Sequence, residues 1–291
     1  MLILFNRFHT TARRLRSVVI LFVSALVFSS CAALQPPSVI GPRGNDSRYP
    51  ILFMQDNDRK EATLAALNRL GQLSGKNGTE PDLQPVTGTI LSLPGKASSS
   101  LYLPKLGAAT TMNEEETRES LRRFIREWQE LIGSDPAKLS LIDRIDQPDG
   151  TKIASYQQRP FRYPIRGNFG KLQISFTSDR RVLNLTSTCI PDADRIQSAL
   201  SALNVRPRAE ETLRQIRAKG VRYVDAQGTE RTFTVAPSSE LSARQMTIYV
   251  LPGKDRPETL EFHLAWEIEF TNAPVKLAYV DALNGEVVAT E

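Results

Sequence analysis

Apolar residues recur at three- and four-residue spacing in four stretches of the chain and at two-residue spacing in several others. The two periods divide it into helices and strands. The strongest helical stretch starts at Asn113. Asn113 and Glu116 have the spacing of a capping box, and Glu114, Glu115 and Glu116 oppose the positive end of the helix dipole. Leu121, Phe124, Ile125, Trp128, Leu131 and Ile132 then form one apolar stripe, a core face on which Trp128 is a packing residue, and Gly133 ends it. An earlier helix runs from Asp58, with Glu61 completing a capping box, Leu64, Leu67 and Leu70 on one side, and Gly71 as its stop. Beyond Pro191, one helix carries Ile196, Leu200 and Leu203, and a second, over 209–219, carries Leu213 and Ile216 before Gly220.

Strands are predicted at 151–157, at 171–176 turning through Ser178-Asp179 into 181–187, and at 221–225, 231–235 and 245–251. The clearest is 260–270. Leu260, Phe262, Leu264, Trp266, Ile268 and Phe270 share one side; Glu261, His263, Ala265, Glu267 and Glu269 share the other. That alternation predicts a sheet with one wet face. Residues 275–283, Asn284-Gly285 and 286–290 read as a hairpin, because Asn-Gly suits the positive φ of a type I′ turn. Helices leading into antiparallel sheets give an α+β class.

The first thirty residues stand apart. A basic segment through Arg16 precedes the apolar run 18–28, which is too short to span a bilayer as a helix, then Ser29-Ser30-Cys31. This resembles a bacterial lipoprotein signal, with Phe28 where Leu is usual. Cys31 would then supply the sulfur that accepts a diacylglycerol, with further acylation such as palmitate. More than one acyl chain gives stable attachment, since a single chain binds only marginally. The alternative is an ordinary secretory signal in which Cys31 has no role. Ala32 carries no Asp-type retention signal, so the periplasmic face of the outer membrane is the favoured location. Residues 1–30 are thus a signal peptide and 31–57 a tether, rich in Pro and Gly (Pro36-Pro37, Gly41-Pro42, Gly44). Residues 58–111 hold the first helix and then a turn-rich stretch, with short β-like runs at 87–93 and 101–103, that the pattern assigns to no module.

Charge changes the picture only once it is located. The chain of 291 residues carries +5, but residues 1–30 hold Arg7, Arg13, Arg14 and Arg16 and no acid, which leaves 33 basic against 32 acidic groups. A basic nucleic-acid surface is not supported. With one His (His263) and one Cys (Cys189) left beyond Cys31, neither a His-rich metal site nor a Cys–His nucleophile is available. Cys189, at the end of a β-like run, reads as a small buried residue. Glu261, His263, Glu267 and Glu269 share a strand face at ~7 Å intervals, a spacing that permits weak metal capture or acid–base coupling. A charged solvent face is the plainer reading.

Two segments carry a family likeness. Tyr156-Gln157-Gln158, then Tyr163-Pro164-Ile165-Arg166-Gly167, then 172–176 and 181–183 resemble the propeptide domain of fungalysin- and thermolysin-type metallopeptidases. Residues 264–268 with Ala278-Tyr279-Val280-Asp281-Ala282-Leu283-Asn284-Gly285-Glu286-Val287-Val288 resemble the end of a PepSY domain. The likeness spans roughly 112–291. It implies a propeptide-like module at 112–190, a PepSY-like module at 191–291, and antiparallel sheets each packed by helices. The peptidases of that family continue into a zinc-binding HExxH helix; this chain has no second His near His263 and needs no cofactor on this reading. The resemblance implies a non-catalytic, protein-binding envelope lipoprotein whose partner is an exported metallopeptidase, inhibited or helped to fold in trans, or another envelope protein. Gln158, Pro164, Gly167, Asp281, Gly285 and Glu291 are the candidate contacts, with 287–291 as a free tail. Asp281 is expected to bind amides of its own turn, and Gly285 to supply its left-handed residue. A scaffold in surface assembly is the alternative role, with a weak metal-binding enzyme around His263 a further one.

Overall fold

The computed structural model describes residues 49–54, 57–74, 81–93, 101–107, 111–203, 208–236, 239–254 and 256–291, all within the unit Ser38–Glu291. The signal segment, Cys31 and most of the expected tether lie outside the described residues. No described helix is long and apolar enough to cross a membrane. The chain is α+β.

The first core forms where helices α2 (Glu114–Glu127) and α3 (Gln129–Ile132) cover a sheet of β4 (Leu139–Asp146), β5 (Thr151–Gln158), β7 (Lys171–Thr177) and β8 (Val182–Ser187), antiparallel in that order. The capping box is made in both directions. Asn113 Oδ1 accepts from Glu116 N at 2.9 Å, and Asn113 N donates to Glu116 Oε2 at 3.0 Å. The whole stripe from Leu121 to Ile132 is buried, and Gly133 closes it at φ +81°. The helix α1 (Asn57–Ser74) runs three residues past Gly71 and buries Thr63, Ala66 and Leu70. Leu64 is left 49 % exposed, because the buried face lies at i, i+3 and i+7 from Thr63.

The stretch left unassigned by pattern belongs to this core. Ile90 of β3 (Ile90–Ser92, paired with β2, Asp82–Leu83), Leu93, Leu101 and Leu103 all pack into it. Residues 101–103 also cover the β8 edge: Leu103 N donates to Arg180 O and Val182 N to Leu101 O, each at 2.8 Å. Cys189 is fully buried there, and burial pushes its thiol up to about 12.

A second sheet is ordered β14 (Val287–Thr290), β13 (Leu277–Asp281), β12 (Thr259–Phe270), β11 (Leu241–Pro252), β6 (Ile165–Gly167). Its inner face packs on α4 (Ala193–Ala202), α5 (Ala209–Lys219) and the hairpin of β9 (Val221–Val224) and β10 (Glu230–Phe233), through Ile196, Leu200, Ile216 and Val221. Two strands come from outside the segment expected to build it. β6 runs parallel to β11, so Ile165-Arg166-Gly167, within the stretch likened to the propeptide module, is a strand of the second sheet and not of the first. β1 (Ile51–Met54), inside the expected tether, pairs antiparallel with β12 and buries Ile51 and Phe53. Four residues alternate too briefly beside Pro50 to stand out from a linker.

Candidate functional site

The outer face of β12 is where the expected wet side was placed, and it is largely covered. Ala265 is fully buried, Glu267 is 2 % exposed, and the His263 side chain retains 12 %. The cover comes from elements distant in sequence. β1 pairs with β12 at 259–262 and β13 pairs with it at 265–269, so the two strands share one edge and leave a gap between them. The Tyr49 hydroxyl fills the gap. It accepts from Leu264 N at 2.8 Å and donates to Asp281 Oδ2 at 2.8 Å, and its ring stands edge-on to His263. Burial, and then the Asp281 carboxylate beside it, hold the Tyr49 phenol far above its ordinary value.

Asp281 is the centre of the cluster, with a fully buried side chain. Oδ2 also meets His263 Nδ1 at 2.8 Å, while Oδ1 accepts from Leu283 N at 2.8 Å and Asn284 N at 3.2 Å. One carboxylate therefore ties together the N-terminal segment, the central strand and the last hairpin, with its buried charge met by four internal groups. The far ring nitrogen, His263 Nε2, lies 3.3 Å from Glu261 Oε2.

The four strand residues expected to act together fall into two groups. Glu261 and His263 belong with Asp281. Glu267 instead meets Arg166 Nε from β6 at 2.9 Å and Arg244 from β11 at 3.5 Å, with Gln245 Nε2 at 3.4 Å. Glu269 stays exposed, 3.9 Å from Arg244. Tyr279, cross-strand from Glu267, is buried, and burial followed by the Glu291 and Glu267 carboxylates raises its phenol. Among the described residues no group of three or more His, Cys, Asp or Glu is placed to hold a metal ion.

No protein-family model matches the chain, and no curated protein sequence does. The roles of the candidate contacts therefore rest on where each one sits.

Gln158 is 2 % exposed. Its Nε2 donates to Ile190 O at 2.8 Å and its Oε1 accepts from Ile190 N at 2.9 Å, which fastens β5 to the segment entering α4 and leaves no surface for a partner. Pro164 is exposed, and its carbonyl accepts from Ile248 N at 2.9 Å where β6 joins β11. Gly167 sits at φ +87° with Val250 O 2.7 Å from where a Cβ would stand, so its backbone presses directly on β11. Asp281 binds amides of its own turn, as expected, and adds the Tyr49–His263 cluster.

The turn itself differs from expectation. Gly285 is left-handed at φ +70°, but Asn284 is not, and the loop has four residues, closed by Asp281 N donating to Glu286 O at 2.8 Å. The Asp281 side chain, holding the amides of Leu283 and Asn284, favours this wider loop over a type I′ turn. Residues 287–291 are not a free tail. β14 pairs with β13, and the Glu291 backbone exchanges bonds with Leu277 at 2.9 and 3.0 Å. The Glu291 residue itself remains exposed. Tyr49, Arg166 and Arg244 escaped the sequence reading; the partners of Tyr49 and Arg166 lie 232 and 101 positions away, and that of Arg244 is on the neighbouring strand, so nothing local marks them.

Proposed function

We propose that this chain is a bacterial cell-envelope lipoprotein, anchored through Cys31, that works as a non-catalytic protein-binding module, with an exported metallopeptidase as the partner it restrains or helps to fold. The observation that carries the reading is the edge strand β14, which among the described residues has a hydrogen-bonded neighbour on one side only. Since Leu277 and Glu291 exchange both main-chain bonds, the intervening phase turns the Thr290 N–H and C=O away from β13. An extended partner segment can pair with such an edge. The candidate contacts Gly285 and Glu291 flank it. Further support lies in the internal engagement of Asp281, His263 and Glu267, which act here as fasteners of the sheet.

The test uses the full chain, solubilised from envelopes after cross-linking, beside Thr290→Pro. Proline removes only an outward N–H, a change edge strands tolerate. The reading expects a metallopeptidase cross-linked to the parent chain and lost from the variant at unchanged melting temperature. Recovery of no peptidase, or equal recovery by both, contradicts it.

A further inference from the structure

The open edge of the first sheet is a different surface. Among the described residues β4 pairs with β5 only, and every residue from Leu141 to Asp146 is exposed, with Leu141 at 39 %, Ile142 at 58 % and Ile145 at 44 %. Three of the large exposed apolar side chains thus stand on one eight-residue strand, whereas a sheet edge is ordinarily short, charged or covered.

The hydrogen-bond phase fixes which main-chain groups this edge offers. Gln147 N donates to Thr151 O at 2.7 Å, so residues 147, 145 and 143 bond inward to β5. Arg144 and Asp146 therefore point their N–H and C=O groups outward. The bulge between Leu141 and Asp143 shifts the phase before that point, which limits a regular ladder to residues 143–147.

Within that ladder the side chains match their own copy. An antiparallel partner related by a two-fold axis through Ile145 sets Ile145 opposite Ile145, Arg144 opposite Asp146, and Asp146 opposite Arg144. The outward groups of 144 and 146 fall into register to form four main-chain bonds. On one face, Ile153, cross-strand from Ile145, extends the apolar contact into a row of four isoleucines. On the other face, two new Arg–Asp pairs form. Arg144 already lies 3.8 Å from Glu114 and 3.9 Å from Asp146 of its own chain, and Asp146 lies 2.8 Å from Lys152 Nζ. The bond from that lysine, foremost, holds the Asp146 carboxyl below its usual range, so it is available as an anion. Registers centred on Asp143 or Arg144 set like charges opposite one another and are disfavoured.

We propose that this edge is a homodimer interface: β4 pairs antiparallel with β4 of a second copy about a two-fold axis at Ile145, giving one continuous eight-stranded sheet. The contact is isologous and closed, so it ends at two copies. A five-residue ladder is small for a stable complex, and tethering to one membrane surface would raise the effective concentration of the two copies.

The test is sedimentation velocity on the full chain in mild detergent, with Arg144→Asp, Asp146→Arg and the double variant, and oxidative cross-linking of Ile145→Cys. Melting temperature reports the fold of each variant. The parent is expected to self-associate at ~10–100 μM, the weak range for so small an interface. Either single reversal, by setting like charges opposite each other twice, should weaken association by about tenfold, and the double variant should restore it. Ile145→Cys should give an interchain disulfide that the parent, oxidised alongside, does not. A monomeric parent with no Ile145→Cys cross-link overturns the proposal, as does a dimer indifferent to the reversals. Failure of the double variant to recover overturns the register and with it the interface.

Discussion

Replacing Tyr49 by Phe removes one oxygen and nothing else, and that oxygen sits where β1 and β13 divide the edge of β12. Two hydrogen bonds are lost, one given to the buried Asp281 carboxylate and one taken from Leu264 N. A bond to a charged group contributes about 1.5–3 kcal/mol and a neutral one about 0.5–1.5 kcal/mol, and the Leu264 amide is left without its acceptor in a buried position. The expected loss is therefore about 2–4 kcal/mol, or roughly 5–12 °C in melting temperature for a domain of this size. Urea denaturation followed by tryptophan fluorescence gives the free energy. Hydrogen exchange gives the location, with faster exchange expected at Leu264 and along residues 51–54 while the first sheet is unchanged. A loss below about 0.5 kcal/mol, the range of surface substitutions, with Leu264 exchange unaltered, would refute the claim that this hydroxyl closes the edge.

Three further outcomes follow from named contacts. Asn113→Ala removes the side-chain half of the capping box, the oxygen that accepts from Glu116 N, and leaves the main-chain half from Asn113 N; it should cost about 1 kcal/mol in chemical denaturation, with Asn113→Ser recovering most of it. Gly285→Val forces a β-branched residue to φ +70° and its Cβ onto the Gln215 amide; a loss of about 1–3 kcal/mol is expected by calorimetry. Cys189 links stability to alkaline pH. Its thiol titrates at about 12 in the fold against 9.0 for a free thiol, so the folded state holds the proton more tightly. Its contribution is complete below pH 9 and falls as pH rises towards 12, by up to about 1.4 kcal/mol per pH unit. Cys189→Ala should flatten that part of the curve, and a thiol reagent at pH 8 should modify Cys189 only as the protein unfolds.

What the chain discloses locally is what local rules govern. The capping box at Asn113, the stripe to Ile132 and the inward side of β12 are set by neighbours within a few residues, and each was legible. β4 was not, because a strand exposed on both sides has no reason to alternate. β1 was missed because two buried residues in four make no period. The outer face of β12 misled for a subtler reason. Charged residues at every second position normally mark solvent, but here Arg166 and Arg244 from other strands and Tyr49 from the segment before β1 reach over them, and ion pairing permits Glu267 to be buried. The Asp281 cluster joins residues up to 232 positions apart. Its turn-binding half could be read from the hairpin motif; its other half follows only from the sheet order.

The account stands on contact with a partner through the β14 edge, and its most direct test is a progress curve. The purified chain is added in increasing amounts to a thermolysin-type metallopeptidase from the same envelope, with a quenched fluorescent peptide as substrate, beside Thr290→Pro. The account predicts that cleavage changes with a saturating dependence on the parent chain, and that the variant loses the effect while keeping its fold. Cleavage rates unaffected by either protein, or turnover of the substrate by the chain alone, would contradict it.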